Sequence, residues 1–415
     1  MNPRRTRRIL SAVVAAGVVA TASGFAAAPY PEAPPDSPET PPIPTPVVDE
    51  AALVDTFETL AADMLIPGAV MLLRTPEGEF TATYGVRELG GDVPVTLDDH
   101  IRVGSNTKTM TGTVILQLVE EGSLALEDPV SKYRPDVPNG DAITIAQLLN
   151  MRSGLFNYSE TYELNAGLDA DPARHWDPEE LAAMGLALPP YFEPDQGWHY
   201  SNTNTVLLGL IAEQLDGKPL DQIFQERIFD PSGLDETSFP ASGGELPEPY
   251  SNGYMYMDNT LTISSTVLPA DLQAAAEAGT LLPNDQTHAD PSWAWAAGGA
   301  ISTAGDLADW VEILVEGGAL DEQMQEERLA SIQPTSDEPD AASYGYAIAE
   351  MGPFLGHTGE LPGYNSFMGR QPDTDVTLVV WTNLAPTAAG EDPATEIAKA
   401  VIGMLYPAPA PAPAS

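Results

Sequence analysis

Strand-like patterning sits at the two ends of this chain, and that constrains the fold more than any other feature. Residues 68–75, GAVMLLRT, and 79–88, EFTATYGVRE, read as two strands around a turn at Pro76-Glu77-Gly78. Residues 364–372, YNSFMGRQP, and 375–383, DVTLVVWTN, read as another pair with a turn near Asp373. The stretch between them is mostly helical in pattern. Val47 to Met64 reads as an amphipathic helix, and so do the run after Ser105, residues 144–154, 204–217 and 302–318. A last helix spans Pro393 to Leu405. Four isolated strands bury their apolar faces economically only by meeting in one sheet. The expectation is an α+β fold, an α/β sandwich: a central antiparallel sheet built from both chain ends, flanked by helices, with a mostly helical insertion. No internal repeat is visible.

The folded body is expected over 47–406, and the segments outside it have different compositions. Arg4, Arg5, Arg7 and Arg8 precede the apolar run ILSAVVAAGVVA and then small residues. This is the pattern of an export signal over 1–28, too short in its apolar part for a membrane span, and it implies a secreted protein with no stable membrane insertion after cleavage. Residues 29–46 hold nine prolines and read as an extended linker; 407–415, PAPAPAPAS, read as a tail of the same kind.

Charge narrows the function further. Lys+Arg 17 against Asp+Glu 61 gives −44, and nucleic acid is a poor partner for such a surface. There is no cysteine, which excludes disulfides, thiol catalysis and thiolate metal sites. The five histidines lack metal-ligand spacing, so no metal and no cofactor is expected. A monomer is expected.

Three short stretches carry chemistry. GSNTKTM places Ser105 three residues before Lys108, one of only four lysines, at the start of a helix. Positions i and i+3 share a helix face, so the amine reaches the hydroxyl. Free N–H groups at the helix start would face an oxyanion, and a desolvated lysine loses its proton readily. Alone, such a tetrad is common by chance. WHYSNTN adds Tyr200, a proton relay, and Asn202, which can hold an amide, just before a helix. FLGHTGELPGY adds His357, Thr358 and Gly359 ahead of a strand, where a substrate could lie along an edge. All three in this order form a far more specific pattern.

With these motifs the chain resembles the penicillin-recognising serine hydrolases, above all the secreted serine D-alanyl-D-alanine carboxypeptidases related to class C β-lactamases. The resemblance runs from about Leu53 to Met404. It implies that Ser105 attacks a D-alanyl carbonyl and forms an acyl-enzyme, while Lys108 and Tyr200 exchange its proton. Asn202 would hold the acyl side-chain amide, and the backbone N–H groups of Ser105 and Glu360 would form the oxyanion hole. His357 and Thr358 would help bind the substrate's terminal carboxylate and tune Tyr200, with Gly359 beside them in the substrate-binding set. The implied partners are peptidoglycan stem peptides or β-lactams; a class C-like β-lactamase, or an esterase or D-amino-acid amidase on the same fold, are the alternatives. One departure stands out: no arginine precedes His357 in YGYAIAEMGPFLGHTG, where some of these carboxypeptidases grip the carboxylate.

Overall fold

The computed structural model describes residues 43–407 except 241, 337, 339 and 340. The expected export signal, residues 29–42 of the linker and residues 408–415 of the tail lie outside the described residues. The helix expected from Val47 begins later, as α1, Glu50–Asp63. The cause is local: the Asp49 side chain accepts the Ala52 N–H and caps the first turn. Strand β1, Gly68–Thr75, and β2, Gly78–Gly85, form the expected hairpin, with Thr75 opposite Gly78.

Further along come α2, Thr107–Glu120, α3, Ile145–Leu149, α4, Asn202–Asp216, and α5, Ala304–Glu316. α3 is much shorter than the expected 144–154. Thr144 and Gln147 form a capping box at its start, as the sequence signals, but Asn150 leaves the helix and Met151 turns left-handed at φ 63. Met151 then packs against Tyr344 and Tyr200, so a tertiary contact overrides the helical propensity.

The remaining strands are β3, Gln333–Pro334, β4, Ser343–Tyr344, β5, Ala349–Met351, β6, Phe354–Leu361, β7, Tyr364–Gln371, and β8, Val376–Thr382, followed by α6, Pro393–Leu405. They join β1 and β2 in one eight-stranded antiparallel sheet of order β2-β1-β8-β7-β6-β5-β4-β3. Met71 lies opposite Val380, so strands from the two ends of the chain pair directly inside the sheet. Side chains alternate across it. Ala69, Met71, Leu73, Val376, Leu378 and Val380 pack under α1 and α6. Val70, Leu72, Val379 and Trp381 face the other way, toward α2 and α5. Each fully buried aliphatic or aromatic side chain here contributes roughly 1.5–3 kcal/mol. Among the described residues no helix is long and apolar enough to cross a membrane.

The His357-Thr358-Gly359 stretch does not precede a strand, as expected, but lies within β6. Its alternation is hidden by three small or polar residues in a row. β5 pairs with β6 only at Phe354, Leu355 and Gly356, which leaves the β6 edge from His357 onward without a strand partner on that side.

Candidate active site

Ser105 sits in a single 3-10 turn, Gly104–Asn106, that runs into α2. Asn106 pins that turn to the sheet, its Nδ2 donating to Ser366 Oγ of β7 at 2.8 Å and to Val103 O at 3.1 Å. Thr107 ties it to the loop before α5, since Ala300 N–H donates to its Oγ1 at 3.1 Å. Two glycines let the turn press against β6. Gly104 has φ +56, and a Cβ there would stand 2.5 Å from Glu360 N; a Cβ on Gly359 would stand 1.9 Å from Val103 O. The Ser105 and Glu360 backbones therefore come side by side, which a larger residue at either glycine prevents.

The Ser105 side chain is partly exposed, whereas Lys108 is completely buried. Lys108 Nζ lies 3.0 Å from Ser105 Oγ and donates to Ala297 O at 2.7 Å. Burial holds its pKa well below the usual lysine range, so the neutral amine is within reach at ordinary pH. No carboxylate contributes to this shift. The same amine stands 4.7 Å from the centroid of the Tyr200 ring. Burial raises the Tyr200 phenol, and the Ser105 hydroxyl pulls it back only in part, so Tyr200 stays protonated. Its hydroxyl is closed to solvent and lacks a well-formed hydrogen bond among the described residues.

Asn202 opens α4. Its Nδ2 donates to Ser159 Oγ at 2.9 Å and its backbone N–H to Asn157 Oδ1 at 3.0 Å. Its Oδ1 is buried and without a partner among the described residues, an acceptor available to a substrate N–H. His357 is buried, with Nδ1 2.5 Å from Thr358 O and Nε2 3.0 Å from the Tyr344 hydroxyl. A carbonyl accepts only, so Nδ1 carries the proton and Tyr344 donates to Nε2. Burial, then the nearby Lys108, pushes the His357 pKa down to about 3, and the ring is neutral at working pH. Thr358 is half-buried beside it. The Glu360 side chain turns outward to Asp392. Local crowding and that carboxylate raise its pKa, and because the side chain is exposed, solvent blunts the effect. Arg370 is far from serving as a carboxylate grip: its guanidinium is bound to Glu316, Asp375 and Thr377.

The structure thus gathers Ser105, Lys108, Tyr200, His357 and Thr358, with Asn202 on the adjoining helix. A cleft of about 750 Å³ has Tyr200, Tyr344, His357 and Thr358 in its walls. Sequence reasoning missed Ala297, Ser159 and Tyr344. Ala297 acts through its carbonyl, which leaves no side-chain signal. Tyr344 is one of 14 tyrosines, and only the fold sets it edge-on to both Tyr200 and His357, with centroids at 6.1 and 5.6 Å.

A three-layer α+β body with a serine and a buried lysine on one helical turn defines the class: a serine hydrolase. The beta-lactamase family model matches residues 53–402, and the chain belongs to that family. It is 27% identical over 340 residues to penicillin-binding protein 4* of Bacillus subtilis (strain 168), covering 79% of this chain and 70% of that protein. A D-stereospecific amidohydrolase from Streptomyces sp. superposes with a TM-score of 0.72 at 31% identity, over 87% of this chain and 99% of that one. The D-amino acid amidase from Ochrobactrum anthropi SV3, complexed with L-phenylalanine amide, does so at 0.69 and 26% identity, over 85% and 98%.

Proposed function

We propose that this protein hydrolyses amide bonds of D-amino-acyl substrates through an acyl-enzyme on Ser105. The observation that carries the reading is the 3.0 Å contact between the Ser105 hydroxyl and a Lys108 amine whose pKa burial holds well below the usual lysine range. In this mechanism Lys108 Nζ takes the hydroxyl proton as Oγ attacks the carbonyl carbon. The developing oxyanion lies between the N–H groups of Ser105 and Glu360; one such donor is worth about 10²–10³ in rate. Tyr200, a protonated phenol, gives its proton to the leaving nitrogen; in deacylation the phenolate takes a proton from the attacking water, and Lys108 returns its proton to Ser105 Oγ as the acyl ester breaks. Asn202 Oδ1 accepts a substrate N–H, and the open edge of β6 from His357 to Gly359 lines the scissile bond.

Two features favour an amidase-like preference over strict carboxypeptidase action. His357 is neutral, so it offers no positive charge to a terminal carboxylate. Arg370 is committed to Glu316 and Asp375. The similarity to a D-stereospecific amidohydrolase adds support. D-alanyl-D-alanine carboxypeptidase action is the second reading, favoured by the similarity to a penicillin-binding protein; export and monomeric action on wall peptides belong with it. The test compares kcat/KM for a D-amino acid amide, its L enantiomer, a D-Ala-D-Ala peptide and the same peptide with its C-terminus amidated. The D amide and the amidated peptide are expected to lead. A tenfold or greater preference for the free carboxylate would reverse the order of the two readings, and a label from penicillin or an active ester on any residue but Ser105 would remove both.

A further inference from the structure

We infer that Asn365 is a positioning residue that orients and polarises the Glu360 N–H, one of the two donors of the proposed oxyanion site. The inference rests on the proposed hydrolysis, in which that N–H meets the oxyanion. Asn365 lies in β7 directly opposite Glu360 and is 2% exposed. Its side-chain amide is bonded at both ends. Oδ1 accepts the backbone N–H groups of Ala394 at 2.9 Å and Thr395 at 3.2 Å, in the first turn of α6. Nδ2 donates to Gly359 O at 3.1 Å. Backbone N–H groups only donate and a carbonyl only accepts, so a flipped amide would lose all three bonds.

Gly359 O and the Glu360 N–H belong to one planar peptide group and point opposite ways. A donor fixed on that oxygen therefore fixes the direction of the N–H. The plane needs such a hold, because Gly359 has no side chain to restrain it and β5 leaves the edge of β6 after Gly356. The same contact carries polarisation. Asp392, just before α6, makes no side-chain cap of its own, so Asn365 caps the helix from β7. The first turn of this 13-residue helix is its positive end, and its N–H groups draw electron density toward Oδ1. Hydrogen bonds in a chain strengthen one another. Nδ2 thereby becomes a stronger donor to Gly359 O, and the polarised peptide becomes a stronger donor at Glu360 N–H. A helix on one face of the sheet is thus linked to the donor beside Ser105, whose own helix, α2, packs on the other.

Two variants separate capping from positioning. Asn365→Asp keeps an acceptor for Ala394 and Thr395 but loses the donor to Gly359 O; Asn365→Ala loses both. Each protein is acylated with an active ester of a D-amino acid bearing an isotope-labelled carbonyl, and the acyl carbonyl stretch is recorded by rapid-mixing infrared difference spectroscopy. In the wild type the oxyanion donors lower that stretch relative to the denatured acyl-protein. In both variants it is expected to move back toward the denatured value. With a D-amino acid amide, kcat is expected to fall about tenfold at little change in KM, a part of the roughly 10²–10³ that loss of a whole donor costs. The unfolding midpoint is expected to drop more in Asn365→Ala, which loses the cap, than in Asn365→Asp. The carboxylates of Glu360 and Asp392 stand near the added charge, so if Asn365→Asp does not fold, Asn365→Ala decides. A wild-type band and a wild-type kcat in a folded variant overturn the inference and leave the hydrolysis standing. Unfolding of both variants also overturns it, by giving Asn365 a structural role alone. Absence of any acyl-enzyme on Ser105 in the wild type removes the proposed function itself and this inference with it.

Discussion

Lys108 shows how a single residue can be legible in sequence while its chemistry is not. The spacing to Ser105 places the amine on the right face, but the spacing says nothing of its protonation. That comes from complete burial between α2 and the loop before α5, with Ala297 O as its fixed partner. Replacing Lys108 by Ala is expected to slow acylation about 10²–10⁴-fold, read as the burst rate with a chromogenic active ester, while circular dichroism stays native. In the wild type the acylation rate rises with pH as Lys108 loses its proton, and that limb lies well below the usual lysine range because burial lowers the pKa. The upper limit belongs to Tyr200, whose raised pKa keeps the phenol intact through neutral and mildly alkaline pH. If Lys108→Ala retains the acid limb, another group is the base. His357 could be found from sequence but not understood from it, since its neutrality comes from burial and the nearby Lys108, and its partner, the Tyr344 hydroxyl, arrives from β4.

At the scale of elements, patterning located the hairpin, the late strands and most helices, and it failed where a contact from elsewhere decided the outcome. The helix expected over 144–154 stops after Leu149 because Met151 is drawn into the Tyr344 cluster. The His357-Thr358-Gly359 stretch is strand and not approach to one, because β7 pairs with it residue by residue, His357 opposite Met368 and Gly359 opposite Ser366. Gly359 is required there for space, its backbone passing against Val103 O. A Gly359→Ala substitution forces β6 and the Ser105 turn apart. It is expected to cost about 1–3 kcal/mol by thermal or denaturant unfolding and to lower kcat far more than it changes stability. An unchanged kcat in a folded Gly359→Ala protein would show that the close approach does not hold the oxyanion site.

For the whole molecule the charge of −44 matters more than any ion pair. Self-repulsion opposes the folded state, and added salt screens it, the screening length falling from about 30 Å at 0.01 M to about 10 Å at 0.1 M. A rise of a few degrees in the unfolding midpoint is therefore expected between those ionic strengths, measured by thermal unfolding. A flat or falling midpoint would mean that the acidic surface is already compensated locally. The pairing of β1 with β8 also makes the two ends of the body interdependent, since neither half of the sheet's apolar face is covered without the other.

The sequence by itself determined the fold class, the order of the three motifs and the identity of Ser105, Lys108, Tyr200 and Asn202 as candidates, because period and spacing are local properties of a chain. Only the tertiary structure decided which groups are charged, which edge of the sheet is open and what surrounds each polar side chain. Burial and long-range carbonyl, hydroxyl and aromatic partners set those properties, and residues more than a hundred positions apart supply many of them.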